Sequence, residues 1–283
     1  MAEQQGIKLG IFVGGLAVAL IAGFGLGKLI TPRSPIANPQ TGAPAVQPSG
    51  HNHAGAQAAA GTDVGGLAIS STGYTLVAGP QGKTFVIKGS DGKPVTNFAT
   101  VHEKLLHLIL VRRDFTGYQH LHPTMAPDGT WTVPADPVGA GPWRAYADFT
   151  AISAGGVQTP LTLGFDITVS GDYRPQPVPV AARESTVDGQ TVTYEGTPVV
   201  GATSPMLFRV PGAELQPYLG SFGHLVVLRE GDLGYVHVHP EPQLSGGAVK
   251  FWLSAPSPGT YRMYFDYQAG GRVRTAEFTL KVA

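Results

Sequence analysis

The pattern of apolar and polar positions changes texture twice along the chain. An unbroken apolar stretch runs from Leu9 to Gly27, with Lys8 before it and Lys28 and Arg33 after it. That stretch approaches the roughly 20 residues a helix needs to cross a bilayer. No small-residue cleavage signature precedes Thr31-Pro32-Arg33. Residues 1–30 are therefore predicted to be an uncleaved transmembrane signal anchor. The flanking charges are nearly balanced and orient the span only weakly. The short amino-terminal tail argues that the rest of the chain is extracytoplasmic. Residues 31–65 are rich in Pro, Ala, Gly and Gln with almost no bulky apolar side chains. This is the composition of a flexible linker.

From about Gly66 onward, short β-branched and aromatic runs alternate with Gly, Pro and Asp turns. Thr84–Lys88, His107–Arg112, Thr130–Val133 and Leu161–Val169 are examples. No stretch there keeps a helical 3.6-residue apolar period. The expected class is all-β and antiparallel. The length suits two tandem sandwiches, Ig-like or cupredoxin-like, over 66–171 and 172–283. The Pro-rich stretch Asp172–Pro179 marks the division.

The two halves repeat one another. HLILVRRDFTGYQHLHP from His107 to Pro123 aligns without a gap on HLVVLREGDLGYVHVHP from His224 to Pro240. Further on, Trp143–Phe149 (WRAYADF) matches Tyr261–Tyr267 (YRMYFDY). Residues two apart on a strand share a face. His120 and His122 therefore point the same way, as do His237 and His239. His107 or His224 begins the preceding strand of a predicted hairpin. A register opposing His107 to His120 or His122 gathers three imidazoles on one face, whereas a one-residue slip sends His107 to the other. Arg144, Tyr146 and Asp148 alternate onto one face, as do Arg262, Tyr264 and Asp266, with Trp143, Ala147 and Phe149 left for the core. Asp148 or Asp266 can serve as a further ligand or as acceptor for the far nitrogen of a ligand histidine.

Composition narrows the chemistry. Lys and Arg number 19 against 19 Asp and Glu, and only 13% of residues are charged, so no basic footprint for nucleic acid exists. The absence of cysteine excludes disulfides, zinc ribbons, a thiol nucleophile and a blue-copper site. Four methionines are too few for a thioether Cu(I) site. The nine histidines thus become the candidate chemistry. His51, His53 and His102 lack repeat partners; His102, near His107, is either an added ligand that makes the two sites unequal or a surface residue. The other six, with Asp148 and Asp266, form the candidate metal ligands: His107, His120, His122 and Asp148 in one half, and His224, His237, His239 and Asp266 in the other. Nitrogen and oxygen donors of this kind suit a divalent copper or zinc ion.

These motifs resemble a group of bacterial exported or membrane-anchored heavy-metal-binding proteins. Their shared segment reads His-Leu-(Val/Ile)-Val followed by His-(Leu/Val)-His-Pro, and a Pro-Tyr-Leu-Gly stretch precedes the second copy, here Pro217–Gly220 before Gly223–Val227. The resemblance covers both β-domains, excludes the anchor and linker, and implies an exported location and a metal. The resulting expectation is a non-enzymatic, membrane-tethered protein that captures, buffers or delivers copper or zinc. The alternatives are a metal-free adhesion module with structural histidines, and a three-histidine metalloenzyme. Against the latter, neither His-Glu-x-x-His nor Gly-x-Ser-x-Gly occurs.

Overall fold

The computed structural model describes residues 64–283, apart from the side chain of His239. The anticipated anchor at 1–30, and the linker as far as residue 63 with His51 and His53, lie outside the described residues. Within them the chain is all-β, with one 3-10 turn at Pro80–Gly82. No described helix is long and apolar enough to cross a membrane.

Alternating β-branched and aromatic residues build four antiparallel sheets, two in each half. In the first half, one sheet runs Ser70–Ser71, Tyr74–Ala78, Thr84–Lys88, Thr130–Thr132, Thr124–Met125. The other runs Gln158–Val169, Gly141–Ile152, Leu106–Arg112, Gln119–Leu121, with Phe98–Ala99 also on Gly141–Ile152. The second half repeats the scheme. Its first sheet runs Glu184–Val187, Gln190–Glu195, Thr203–Arg209, Val249–Ser254, Val238–Pro240. Its second runs Leu215–Gln216, Gly259–Ala269, His224–Arg229, Tyr235–Val236, with Arg272–Val282 also on Gly259–Ala269.

Each half has its own core. Leu106, Leu108, Leu110, Trp143, Ala145, Ala147 and Phe149 lie in the first, as the alternation predicted for the Trp143 strand. Leu225, Val227, Met263, Phe265 and Tyr267 lie in the second. The opposite faces of the same strands meet in a third apolar cluster containing Ile109, Val111 and Tyr146 from one half and Val226, Leu228 and Tyr264 from the other. This seam between the halves is where strand alternation sends His107, His224 and the Arg-x-Tyr-x-Asp faces.

The seam is reciprocal. Tyr146 donates to the carbonyl of Leu233 at 2.6 Å, and Tyr264 donates to the carbonyl of Phe115 at 2.6 Å. Phe115 and Leu233 both hold positive φ, 66° and 62°, in the turns of the two histidine hairpins. Each turns its apolar side chain into the seam. They are structural counterparts even though the ungapped alignment pairs Phe115 with Asp232, so the hairpin turns differ by one residue in where the apolar plug sits.

The end of the linker fastens the same seam. Gly65 exchanges both backbone hydrogen bonds with Tyr235, at 2.9 and 3.0 Å, while Gly66 donates to the Thr162 carbonyl at 2.8 Å. The Arg144 guanidinium donates to the Gly66 carbonyl. A methyl group at Gly66 would lie 2.3 Å from Tyr146, and one at Gly164 only 2.0 Å from the Gly66 carbonyl oxygen. Glycine is required at both places by close approach of backbone.

Candidate metal centre

The hairpin register decides where the histidines go. Leu108 pairs with Leu121, Ile109 with His120 and Leu110 with Gln119. His120 therefore shares the seam face with Ile109, and so with His107. His122 follows on the same side. The three form a cluster in which one ligand atom from each lies within 4.8 Å of the others. Ring centroids are 5.2 Å apart for His107 and His120, 5.0 Å for His107 and His122, and 5.0 Å for His120 and His122.

Hydrogen-bond partners assign the protons of this cluster. His107 Nε2 lies 3.1 Å from the carbonyl oxygen of Val101, which can only accept, so Nε2 carries the proton and Nδ1 a lone pair. His120 Nδ1 lies 2.8 Å from Asp266 Oδ2 and donates to it, which leaves the lone pair on Nε2. His107 Nδ1 and His120 Nε2 then face each other at 3.0 Å. Two lone pairs so placed repel until a positive species, a proton or a metal ion, joins them. Two nitrogens bound tetrahedrally at about 2.0–2.1 Å from a zinc ion are about 3.3 Å apart, close to this separation. His122 Nε2 is buried beside them with no hydrogen-bond partner.

Burial holds His107 and His122 neutral. It lowers His107 to about 4, with the nearby His120 adding to the effect. It lowers His122 to about 3, again helped by His120 and then His107. Neutral imidazoles are the form that ligates a metal.

Asp266 orients the cluster from the other half of the molecule. Its Oδ2 also accepts from Tyr118 at 3.0 Å, and its Oδ1 accepts from Thr275 at 2.6 Å. Burial, and then the Asp266 charge, push the Tyr118 phenol well up, so it stays a donor. The Tyr118 ring stacks on Tyr264 with centroids 4.2 Å apart. Of the two roles open to this aspartate from sequence, acceptor for a histidine is the one the geometry displays. Asp148 sits opposite His107 in the strand register and accepts from Thr162 at 2.7 Å, mirroring Asp266 opposite His224 with its bond from Thr275.

The second copy does not build a second triad among the described residues. His224 reaches the first cluster, with its ring centroid 6.2 Å from His107 and 6.0 Å from His120. His237 is exposed, and the side chain of His239 lies outside the described residues. The strand that carries His237 and His239 leaves its sheet early. Tyr235–Val236 pairs with His224–Arg229, but Val238–Pro240 already pairs with Phe251–Leu253 of the other sheet. That partner strand spans Val249–Ser254, whereas its counterpart in the first half, Thr130–Thr132, is short and pairs with Thr124–Met125 on one side and Thr84–Lys88 on the other.

His102, which has no histidine partner in the repeat, joins the cluster. Its ring lies 5.1 Å from His224 and 6.2 Å from His107. It occupies a two-residue turn between Val101 and Lys104 with both central residues at positive φ, His102 at 47° and Glu103 at 62°. Such turns favour Asn-Gly, and each non-glycine residue in this region costs on the order of 1 kcal/mol. The matching turn in the second half is Tyr218–Ser221, with Leu219 at 53° and Gly220 at 76°.

Taken together, the fold and site define a duplicated antiparallel β protein with a histidine cluster at the seam of its halves. The chain belongs to the DUF8832 family, described as a domain of unknown function, whose family model matches residues 62–171 and again 185–283, one match per half. No curated protein matches it. A solved structure of FdeC, an adhesin of Escherichia coli, is similar with a TM-score of 0.22 and 16% identity over 78% of this chain. The match spans 62% of that chain, and a TM-score so low carries no argument about either fold or function.

Proposed function

We propose that this chain is a membrane-tethered, extracytoplasmic, non-enzymatic protein that holds a divalent copper or zinc ion for capture, buffering or delivery. Its halves are read as Ig-like or cupredoxin-like sandwiches. The ligands are His107, His120 and His122. The carrying observation is the convergence of three imidazoles, with His107 Nδ1 and His120 Nε2 facing each other at 3.0 Å and the buried His122 Nε2 without a partner. Each of the first two nitrogens belongs to a ring fixed from behind, by the Val101 carbonyl and by Asp266. Outer partners of this kind set the tautomer of metal-bound histidines. The resemblance to exported heavy-metal-binding proteins points the same way.

A second reading, a metal-free structural or adhesion module, has its own support. His107, His120 and His224 all find hydrogen-bond partners within the protein, and the seam around them is a closed apolar core. Thermal melting separates the two readings. Bound metal raises the melting temperature by mass action, so a chelator lowers it. A melting curve indifferent to both added zinc and chelator supports the metal-free module instead.

A further inference from the structure

We propose that His224, from the second half, is the fourth ligand of the metal, so that the ion closes across the seam and ties the halves together. This rests on the metal-binding reading above and extends it from three ligands in one half to four shared between both.

Four observations support it. His224 is set up as His107 is. Its Nε2 donates to the Tyr218 carbonyl at 2.9 Å, as His107 Nε2 donates to the Val101 carbonyl, and the two carbonyls occupy matching positions in matching turns. The proton is therefore on Nε2 and the lone pair on Nδ1, in both rings. The ring is only 7% exposed, and its centroid lies within 6.2 Å of His107, His120 and His102. The Tyr218 ring meets the imidazole edge-on, with centroids 5.7 Å apart, and so helps to fix its orientation. Finally, the second half already contributes to the centre, because Asp266, directly opposite His224 in the strand register, holds His120.

A site with four imidazoles is tetrahedral and closed. That is the pattern of structural and storage zinc sites, whereas catalytic zinc keeps an open position. One ion per chain follows, in place of one per half. The duplication then serves to bring His224 and Asp266 to the first half's hairpin.

Cobalt(II) added to the full chain reports coordination number through its visible spectrum, which is intense when tetrahedral and weak at five or six ligands. Wild type is expected to show the intense bands with one equivalent. His224→Ala and His224→Gln, the latter keeping a donor for the Tyr218 carbonyl, should show bands shifted from wild type and sensitive to pH and added anions, because water takes the vacated fourth position. Both should also bind zinc about tenfold or more less tightly, the scale on which a lost supporting partner already acts. If His120→Ala/His122→Ala loses binding while both His224 variants keep the wild-type spectrum and affinity, the three-histidine reading stands and the clamp is wrong. If wild type binds neither cobalt nor zinc, both fall.

Discussion

Asp266 shows how much one side chain can organise from a distance in sequence. It accepts from His120, Tyr118 and Thr275, and two of those three belong to the other half of the chain. Replacing it by Asn keeps the shape but lets an amide face the His120 Nδ1 proton, freeing the ring to take the other tautomer. Asp266→Asn is expected to weaken zinc or copper binding by about 10–100-fold, as loss of a supporting carboxylate does elsewhere, read by competition with a chelator of known affinity. An unchanged affinity would mean that Asp266 does not set the tautomer. The buried imidazoles also carry a pH dependence in the metal-free protein. His107, His122 and His224 fall from the ordinary 6.5 to about 4, 3 and 3 on folding, chiefly through burial. Between those values the unfolded chain binds more protons than the folded one, so stability rises with pH. Their contribution is intact above about 6.5 and is lost as pH falls toward 3. Denaturant midpoints measured from pH 7 to pH 4 should decline steadily, and a flat profile would contradict the burial of these rings. Alternation placed His120 with His122, and Asp148 with Tyr146, while the register that brings His107 to the pair stayed open. It gave no sign that Asp266 would reach across to His120, because a contact between halves leaves no spacing to read.

Among the elements, the two histidine hairpins show both the strength and the limit of the repeat. Their strands, their turns and the positive-φ plugs Phe115 and Leu233 correspond closely. The divergence comes after Val236, where Val238 packs against the second core and pairs with Leu253, so His237 is carried away from the seam. Nothing in HVHP as against HLHP announces this. The deciding difference lies in the partner strand, longer in the second half, and strand pairing over that sequence distance is a tertiary property. The reciprocal tyrosines offer a direct test of the seam. Tyr264→Phe leaves the buried Phe115 carbonyl without its donor, an unsatisfied group that costs about 1–3 kcal/mol. Tyr146→Phe does the same to Leu233. Each is expected to lower the denaturant midpoint, and losses within about 0.5 kcal/mol, the range of ordinary surface changes, would show that the halves do not meet as described.

At the scale of the whole molecule, duplication is put to asymmetric use. Two similar sandwiches pack through the same face, yet one hairpin supplies three histidines and the other half supplies His224 and Asp266. The linker end lies against the opposite side of the seam, with Gly65 on Tyr235 and Gly66 on Thr162. The all-β class, the repeat and the core faces were legible from apolar alternation and turn residues, because those are local. The seam was not, since either face of a sheet with alternating apolar and mixed residues can meet a partner. His102 stayed open between an added ligand and a surface residue because it has no histidine counterpart; its ring comes to lie 5.1 Å from His224 and 6.2 Å from His107. The central claim is that the seam histidines hold one divalent ion. Calorimetric titration of the full chain with zinc and with copper tests it most directly. One equivalent per chain should bind to wild type, with binding abolished in His120→Ala/His122→Ala. Equal affinity in the two proteins, or no binding in either, would contradict it.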